Sequence, residues 1–467
     1  MAHRYGSKGV LLVALGICMP GLAVAQDEVD AGLALVSDHE QMMARVEQLQ
    51  QEVSNRELPG NSWNADVAEA LITLGQALQE ANDHQTALEH LERSVHINRI
   101  NHGLFSLQQV PALTLQIKSH EALGQWEDAD GLRQYVFYVQ SKSHINNNPE
   151  LIPALVDYAN WHLDAFADRR GTEPTTRLLD AYQLYAVALS TIEKQPNPEA
   201  YPKEEYLQQL AFISWLMHQT RTLSRMELLY HEERKVDDSW ADLRTDKQYH
   251  GRNNAYLRGE LALKQIIDIK AAHLAEADPG SAVHDELLKQ YVESMLDLAD
   301  WNLLFERRNG ASRQYEAAWD ALADTNPELV SEVFDRVVLL PRFEPRVGPS
   351  QSQPQQATSS VAAATSSYAS TSFAPTYNDM VEDRIAQQDE FGYVTIEFDI
   401  NRFGRATNIS LLESDASDAD DEISRRMVNA LRYSKLRPRI RDGKAISIEG
   451  LVYRFPYEIA GDEAAAQ

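Results

Sequence analysis

The chain has 467 residues, a hydrophobic share of 43% and a formal net charge of −27. The length exceeds one ordinary domain, and the apolar content is enough to build real cores. The charge excludes general nucleic-acid binding, which needs a basic footprint.

The N-terminus reads as an export signal over residues 1–25. Arg4 and Lys8 form a positive n-region, and Val10 to Cys18 a short apolar core that Pro20-Gly21 breaks. Ala23-Val24-Ala25 before Gln26 is a small-x-small cleavage site. The uncharged run from Gly9 to Ala25 is shorter than the roughly 20 residues a spanning helix needs. Leu15-Gly16-Ile17-Cys18 loosely resembles a lipoprotein box, but Ile17 has the wrong size for that peptidase. Cys18 is the only cysteine. Cleavage removes it and leaves a mature chain with no thiol, which rules out disulfides, thiolate catalysis and Cys-ligated zinc. Such a chain suits an oxidising periplasm. Membrane contact is expected only if the N-terminal segment is retained.

Residues 26–64 read as a helical cap with an apolar stripe at Leu33, Val36 and Met43, ended by Leu58-Pro59-Gly60-Asn61. Residues 65–346 read as an all-α solenoid. Leu74-Gly75-x-x-Leu78 followed by Ala87-x-x-x-Leu91 resembles the tetratricopeptide pattern. Gly75 and Ala87 let two antiparallel helices approach, and Leu78 and Leu91 fill the gap. Ala81 to Ala87 corresponds to Leu123 to Ala129 at an offset longer than the standard repeat of roughly 34 residues. A further echo joins Leu155 to Leu163 with Met295 to Leu303, aligning Ala159 with Ala299 and Trp161 with Trp301. Phe166, Arg169-Arg170 and Gly171 follow the first copy. Phe305, Arg307-Arg308 and Gly310 follow the second. Each reads as a helical hairpin with its tryptophan inside, and with arginines and glycine closing the helix C-terminus. Tyr182 to Leu189 and Tyr315 to Leu322 are the partner helices.

Residues 347–378 are Ser, Gln, Ala, Thr and Pro with almost no charge, a composition that reads as a flexible linker. As a coil it spans roughly 30 Å. Residues 379–460 form a small α+β domain, and 461–467 read as a disordered tail. Gly392 to Ile400 alternates, so Val394, Ile396, Phe398 and Ile400 share a strand face. Asn401-Arg402-Phe403-Gly404 is a short loop, and Thr407, Ile409 and Leu411 mark a second strand. Ile423, Met427, Ala430, Leu431 and Ser434 lie on one helical face. Asp442-Gly443 turns into a final strand, Ala445 to Ile459.

The dispersed positions Gly392-x-Val394-x-Ile396-x-Phe398, Gly404, Ser414, Ala430-Leu431, Leu436-x-Pro438, Asp442-Gly443-Lys444 and Tyr453-x-Phe455 carry a resemblance. The segment looks like the C-terminal domain of TonB, the energy transducer of Gram-negative envelopes. The resemblance implies a ββαβ fold. It also implies an edge strand to which an extended receptor peptide adds by main-chain hydrogen bonds. That strand corresponds to Leu451 to Ile459, with Leu451, Tyr453, Phe455 and Tyr457 as its partner-binding residues. Pro456 removes one ladder donor, so the alternative is an edge kept short by proline. The family's spacer is longer, charged and Pro-rich, and its anchor carries a membrane-embedded histidine that Gly9 to Ala25 lacks.

Other candidate sites are weaker. His84, His90, His96 and His102 recur every six residues, a step of about 240° on a helix, and lack the i, i+4 spacing of a zinc helix. Asp415, Asp418, Asp420, Asp421 and Glu422 lack the glycine and distal glutamate of a calcium loop, and fit a helix N-terminus instead. Arg425, Arg426, Arg432, Lys435, Arg437, Arg439, Arg441 and Lys444 form a basic run, of which Arg425, Arg432, Arg437 and Arg439 are the candidate face. It reads either as a solvated face or as one that meets an acidic partner, this chain's own solenoid included. The sequence shows no phosphate loop, nucleophile elbow or triad-like arrangement, and no cofactor or metal is expected.

The sequence thus points to a periplasmic, non-catalytic interaction protein with an envelope protein or peptide as partner. The alternative is a divergent TonB-type energy transducer anchored in the inner membrane. A third reading is an enzyme acting on cell-wall material in the solenoid groove.

Overall fold

The computed structural model describes residues 41–57, 62–144, 148–171, 174–220, 255–335, 338–342, 391–414 and 421–458. The signal segment with Ala23, Ala25 and Gln26, the connection 347–378, the tail 461–467, Leu58 to Asn61, and Asp415, Asp418 and Asp420 lie outside the described residues. The described residues fall into two compact units that divide after Val139.

In the first unit, residues 41–56 are helical. Val46 and Val53 are buried there and Met43 is exposed. Of the expected stripe, Met43 is turned outward, and Leu33 and Val36 lie outside the described residues. Four helices follow, α1 (Ala65–Glu80), α2 (His84–His102), α3 (Val110–Ala122) and α4 (Trp126–Ser143), the last of which contains the division. Leu74, Leu78, Ala87 and Leu91 are all buried where α1 meets α2. A Cβ on Gly75 would stand 2.7 Å from Leu91, so the absence of a side chain sets the approach of the two helices. This is the packing that the tetratricopeptide pattern implies.

One turn recurs. After α1, the Asp83 amide donates to the Leu78 carbonyl and the Asn82 amide to that of Gln79. This is a Schellman closure, with Asn82 left-handed at φ 60°. The same pair of bonds closes α3 around Gly124.

The second unit continues with α5 (Ile152–Ala167), α6 (Pro174–Glu193), α7 (Lys203–Gln219), α8 (Ala255–Glu276), α9 (Ala282–Leu304), α10 (Arg308–Ala323) and the single turn α11 (Val330–Phe334). From α6 to α10 each helix packs on the one before it. Trp301 is buried against α8, where a Cβ on Gly259 would overlap its ring. Its Nε1 donates to the Tyr256 carbonyl at 3.1 Å. Trp161, Ala159 and Ala299 are buried as expected. Of the expected closure by arginine and glycine, the arginines take part and the glycines do not. The same Schellman bonds place Arg169 and Glu306 in the left-handed position. Gly310 instead lies inside α10, where a Cβ would overlap Asn302 Oδ1.

The remaining elements are β1 (Leu339–Leu340), β2 (Phe391–Ile400), β3 (Ala406–Ser414), α12 (Asp421–Tyr433), β4 (Lys435–Leu436), β5 (Arg439–Arg441), β6 (Lys444–Ile446) and β7 (Ile448–Glu458). An antiparallel sheet has the order β3-β2-β7. Val394, Ile396, Phe398 and Ile400 are fully buried with Met427 and Leu431 of α12. Gly404 turns at φ 71°. Two expectations are corrected. In β3, Asn408 takes φ 52° and the register shifts beside it, which breaks the alternation. Ala406 and Ile409 therefore pack inward, while Thr407 and Leu411 are exposed. The final strand is also two strands. Asp442 and Gly443, both at positive φ, form the tight turn of a β5–β6 hairpin, and β7 starts afresh at Ile448.

Candidate functional site

The richest chemistry in the second unit lies where the C-terminal domain meets the last helical hairpin. β1 follows α11, yet it pairs with β4 from beyond α12, Leu339 opposite Leu436. Successive strand side chains point to opposite sides. Leu339 packs into the core of the sheet, and Leu340 into the core built by α9 and α10. Ile440 of β5 enters that helical core too, beside Tyr315, Leu322 and Phe334. At the β5–β6 turn, a Cβ on Gly443 would stand 3.2 Å from the Glu316 backbone. The two cores are stitched together by short strands.

Arg437 sits at the centre of this contact, 2% exposed. Its Nε donates to Asp300 Oδ2 at 2.8 Å, and its Nη2 donates to the same oxygen and to Asp297 Oδ1. The other Asp300 oxygen accepts from Tyr315 Oη at 2.6 Å. Asp297 also takes Arg342, the second residue after β1, at 3.2 Å. Burial alone would lower the Arg437 guanidinium, but the Asp300 carboxylate beside it holds it above its usual value. Burial, with Asp300 alongside, pushes the Tyr315 phenol well above its usual value, so it stays a donor. Such a buried pair adds little net stability but fixes geometry, because losing either partner leaves a buried charge unmatched.

The rim of the contact is wetter. Lys435 Nζ donates to the Leu303 carbonyl and to Glu306, both at 2.8 Å. Arg405 reaches Glu306 at 2.9 Å, and Arg439 reaches Asp335 at 3.3 Å. Glu306 is the left-handed residue that closes α9, so the turn itself presents the carboxylate. Hydrogen bonds from Lys435 and Arg405 hold that carboxyl below the usual glutamate value. The basic run is therefore divided. Lys435, Arg437 and Arg439 face the acidic helices of the same chain, while Arg425 and Arg432 lie exposed on α12.

β7 is the outer strand of its sheet among the described residues. Leu451, Tyr453 and Phe455 are opposite Phe398, Ile396 and Val394 and pack into the core. Tyr457 pairs with Gly392. Val452 and Arg454, on the other side of the strand, are exposed.

The histidines do not converge on one site. His84 begins α2, and His96 stacks edge-on against Trp63 at 5.5 Å. Burial lowers His90. Among the described residues no group of three acidic, histidine or cysteine side chains is placed to hold a metal, and no helix is long and apolar enough to cross a membrane.

Sequence reasoning missed Asp300, Asp297, Tyr315 and Arg342 as members of one site. One signal was available. Asp300 occupies the place of Asn160 in the echoed segments, a change of charge within a repeated framework.

No protein-family model and no curated protein matches the chain. Among solved structures, it is similar to the nearly identical TPR-like repeats of a Podosopora anserina protein assigned as a kinesin light chain. The identity is 13% and the TM-score 0.30, over 56% of this chain and 98% of that one. A point-substituted form of those repeats gives 13%, 0.29, 56% and 96% in the same order. Superpositions this loose carry no inference for this chain.

Proposed function

We propose that this is a non-catalytic interaction protein, exported to the periplasm, whose helical hairpins bind a protein or peptide of the cell envelope. One observation carries the binding reading. The end of α2 and the turn after it expose Ile100, Leu104, Phe105 and Leu107, with Leu104 54% accessible. Asn101 Nδ2 donates to the Trp63 carbonyl at 2.6 Å and ties exposed Trp63 to the same helix end. Apolar side chains gathered on a surface in this way favour a macromolecular partner. The export reading rests on Ala23, Ala25 and Gln26 in the sequence.

A TonB-like C-terminal domain is part of this proposal, but as a docked module. The second reading, a divergent energy transducer, draws support from the place of β7 at the edge of its sheet among the described residues.

Affinity purification of the full chain from envelope extract tests the first reading, comparing wild type with a Leu104→Ser, Phe105→Ser variant. A discrete envelope protein held by wild type and lost by the variant is expected. Identical recovery by both would contradict it. N-terminal sequencing separates the two readings: a chain beginning at Gln26 supports export and cleavage, and an intact Met1 in the membrane fraction supports the transducer.

A further inference from the structure

In hairpins α5–α6 and α9–α10 a tyrosine of the second helix, at a different position in each, donates to the same position of the first helix, where the acceptors differ. In the first, Tyr185 Oη donates to Asn160 Oδ1 at 2.7 Å. In the second, Tyr315 Oη donates to Asp300 Oδ1 at 2.6 Å. An amide has one oxygen, and the tyrosine takes it; its nitrogen would face an arginine donor to donor. A carboxylate keeps a second oxygen, and Asp300 gives that oxygen to Arg437. The two hairpins thus differ at the atom that receives the C-terminal domain.

Backbone pairing and apolar packing join the ion pair in the contact. The Arg437 amide donates to the Val338 carbonyl at 2.8 Å, continuing the β1–β4 pairing. Ile440 is buried in the helical core. β1 and the strands from Phe391 onward belong to the same compact unit.

We propose that α9, α10 and β1 form an acceptor surface for the C-terminal domain that holds it without the 343–390 connection, and that Asp300 marks this hairpin as the acceptor. The partner is this chain's own domain. A ligand seeking the face of Lys435, Arg437 and Arg439 must displace the acidic helices first. The inference stands apart from the interaction-protein reading, since it concerns how the domain is held and not what the chain binds.

The test uses the full chain with a protease recognition sequence replacing residues 352–358. After cleavage, gel filtration at low micromolar concentration should return both fragments in one peak. Asp300→Asn copies the hairpin that lacks the carboxylate and should weaken the association about a hundred-fold or more, because Arg437 loses its buried counter-charge; its fragments then separate. Arg437→Lys keeps the charge but loses the fork, and should separate as well. Lys435→Gln, at the rim, should cost about ten-fold or less and leave one peak. Circular dichroism before cleavage checks that each variant is folded. Wild-type fragments that separate on cleavage would overturn the proposal. Cleaved Asp300→Asn that stays together as tightly as wild type would overturn the role of Asp300, and so would equal losses in Asp300→Asn and Lys435→Gln.

Discussion

Arg437 and Asp300 stand 137 positions apart in the chain and meet at 2.8 Å in its interior. The arginine comes from a basic run and the aspartate from an acidic helix. Their contact turns a domain that reads as tethered into one that is docked, and it sets the first prediction. Arg437→Ala leaves Asp300 buried without its cation and should cost about 3–5 kcal/mol. Arg437→Met with Asp300→Asn removes both charges and should cost clearly less. Denaturant unfolding followed by tryptophan fluorescence checks the order; a double variant as unstable as the single one would contradict it.

Helix approach sets the second prediction. Alanine normally gains about 1 kcal/mol over glycine inside a helix. At Gly75 the new methyl would lie 2.7 Å from Leu91, and at Gly259 it would overlap the Trp301 ring more deeply still. Both substitutions should destabilise, by about 1–3 kcal/mol. Gly259→Ala should be the worse, since an indole yields less than a leucine tip. Leu91→Val in the Gly75→Ala background should restore part of the loss. A melting temperature raised by Gly75→Ala would refute the reading.

Acidification sets the third. Lys435, and then Arg405, hold the Glu306 carboxyl below its ordinary value. A depressed folded value means that the stabilisation is complete above the unfolded value and is lost as pH falls through the folded one. Glu306 is about half exposed, so its ion pairs are worth ~1 kcal/mol or less. The stability difference between wild type and Glu306→Gln should be flat near neutral pH and fade as pH drops below the usual glutamate range. A difference that grows on acidification would contradict this.

The recurrent turn sets the fourth. Arg169 and Glu306 both hold left-handed backbone at the same point of a helix end, which costs a residue with a Cβ roughly 1–2 kcal/mol. Arg169→Gly should be stabilising by about 0.5–1 kcal/mol once the entropy of glycine in the unfolded chain is set against it. Glu306→Gly should gain less or lose, because it discards the contacts to Lys435 and Arg405. Thermal unfolding of the pair compares them directly. An equal gain in both would mean that the Glu306 contacts do not matter.

What could be read from the sequence was what local periodicity dictates. Val394 to Ile400 alternates cleanly because one face is buried. Leu74, Gly75, Leu78, Ala87 and Leu91 form one close helix contact within a short span. Asp442-Gly443 was legible as a turn, since both residues tolerate positive φ. The misses have physical causes. β1, β4 and β5 are two or three residues long and owe their existence to partners distant in sequence or to a tight hairpin, so no period announces them. The bulge in β3 places an asparagine, rather than a glycine, at positive φ, and so gave no break signal. Asp300 is one of many acidic residues in a chain of net charge −27, and only folding selects it.

The central claim is that the C-terminal domain and the last hairpin are held as one. Native-state hydrogen exchange over residues 435–446 tests it most directly, read in wild type and Asp300→Asn. In wild type these amides, including that of Arg437 on the Val338 carbonyl, should be protected to the same degree as α9 and α10. In Asp300→Asn that protection should fall while α9 keeps its own. Free exchange of residues 435–446 in wild type beside a protected α9 would contradict the account.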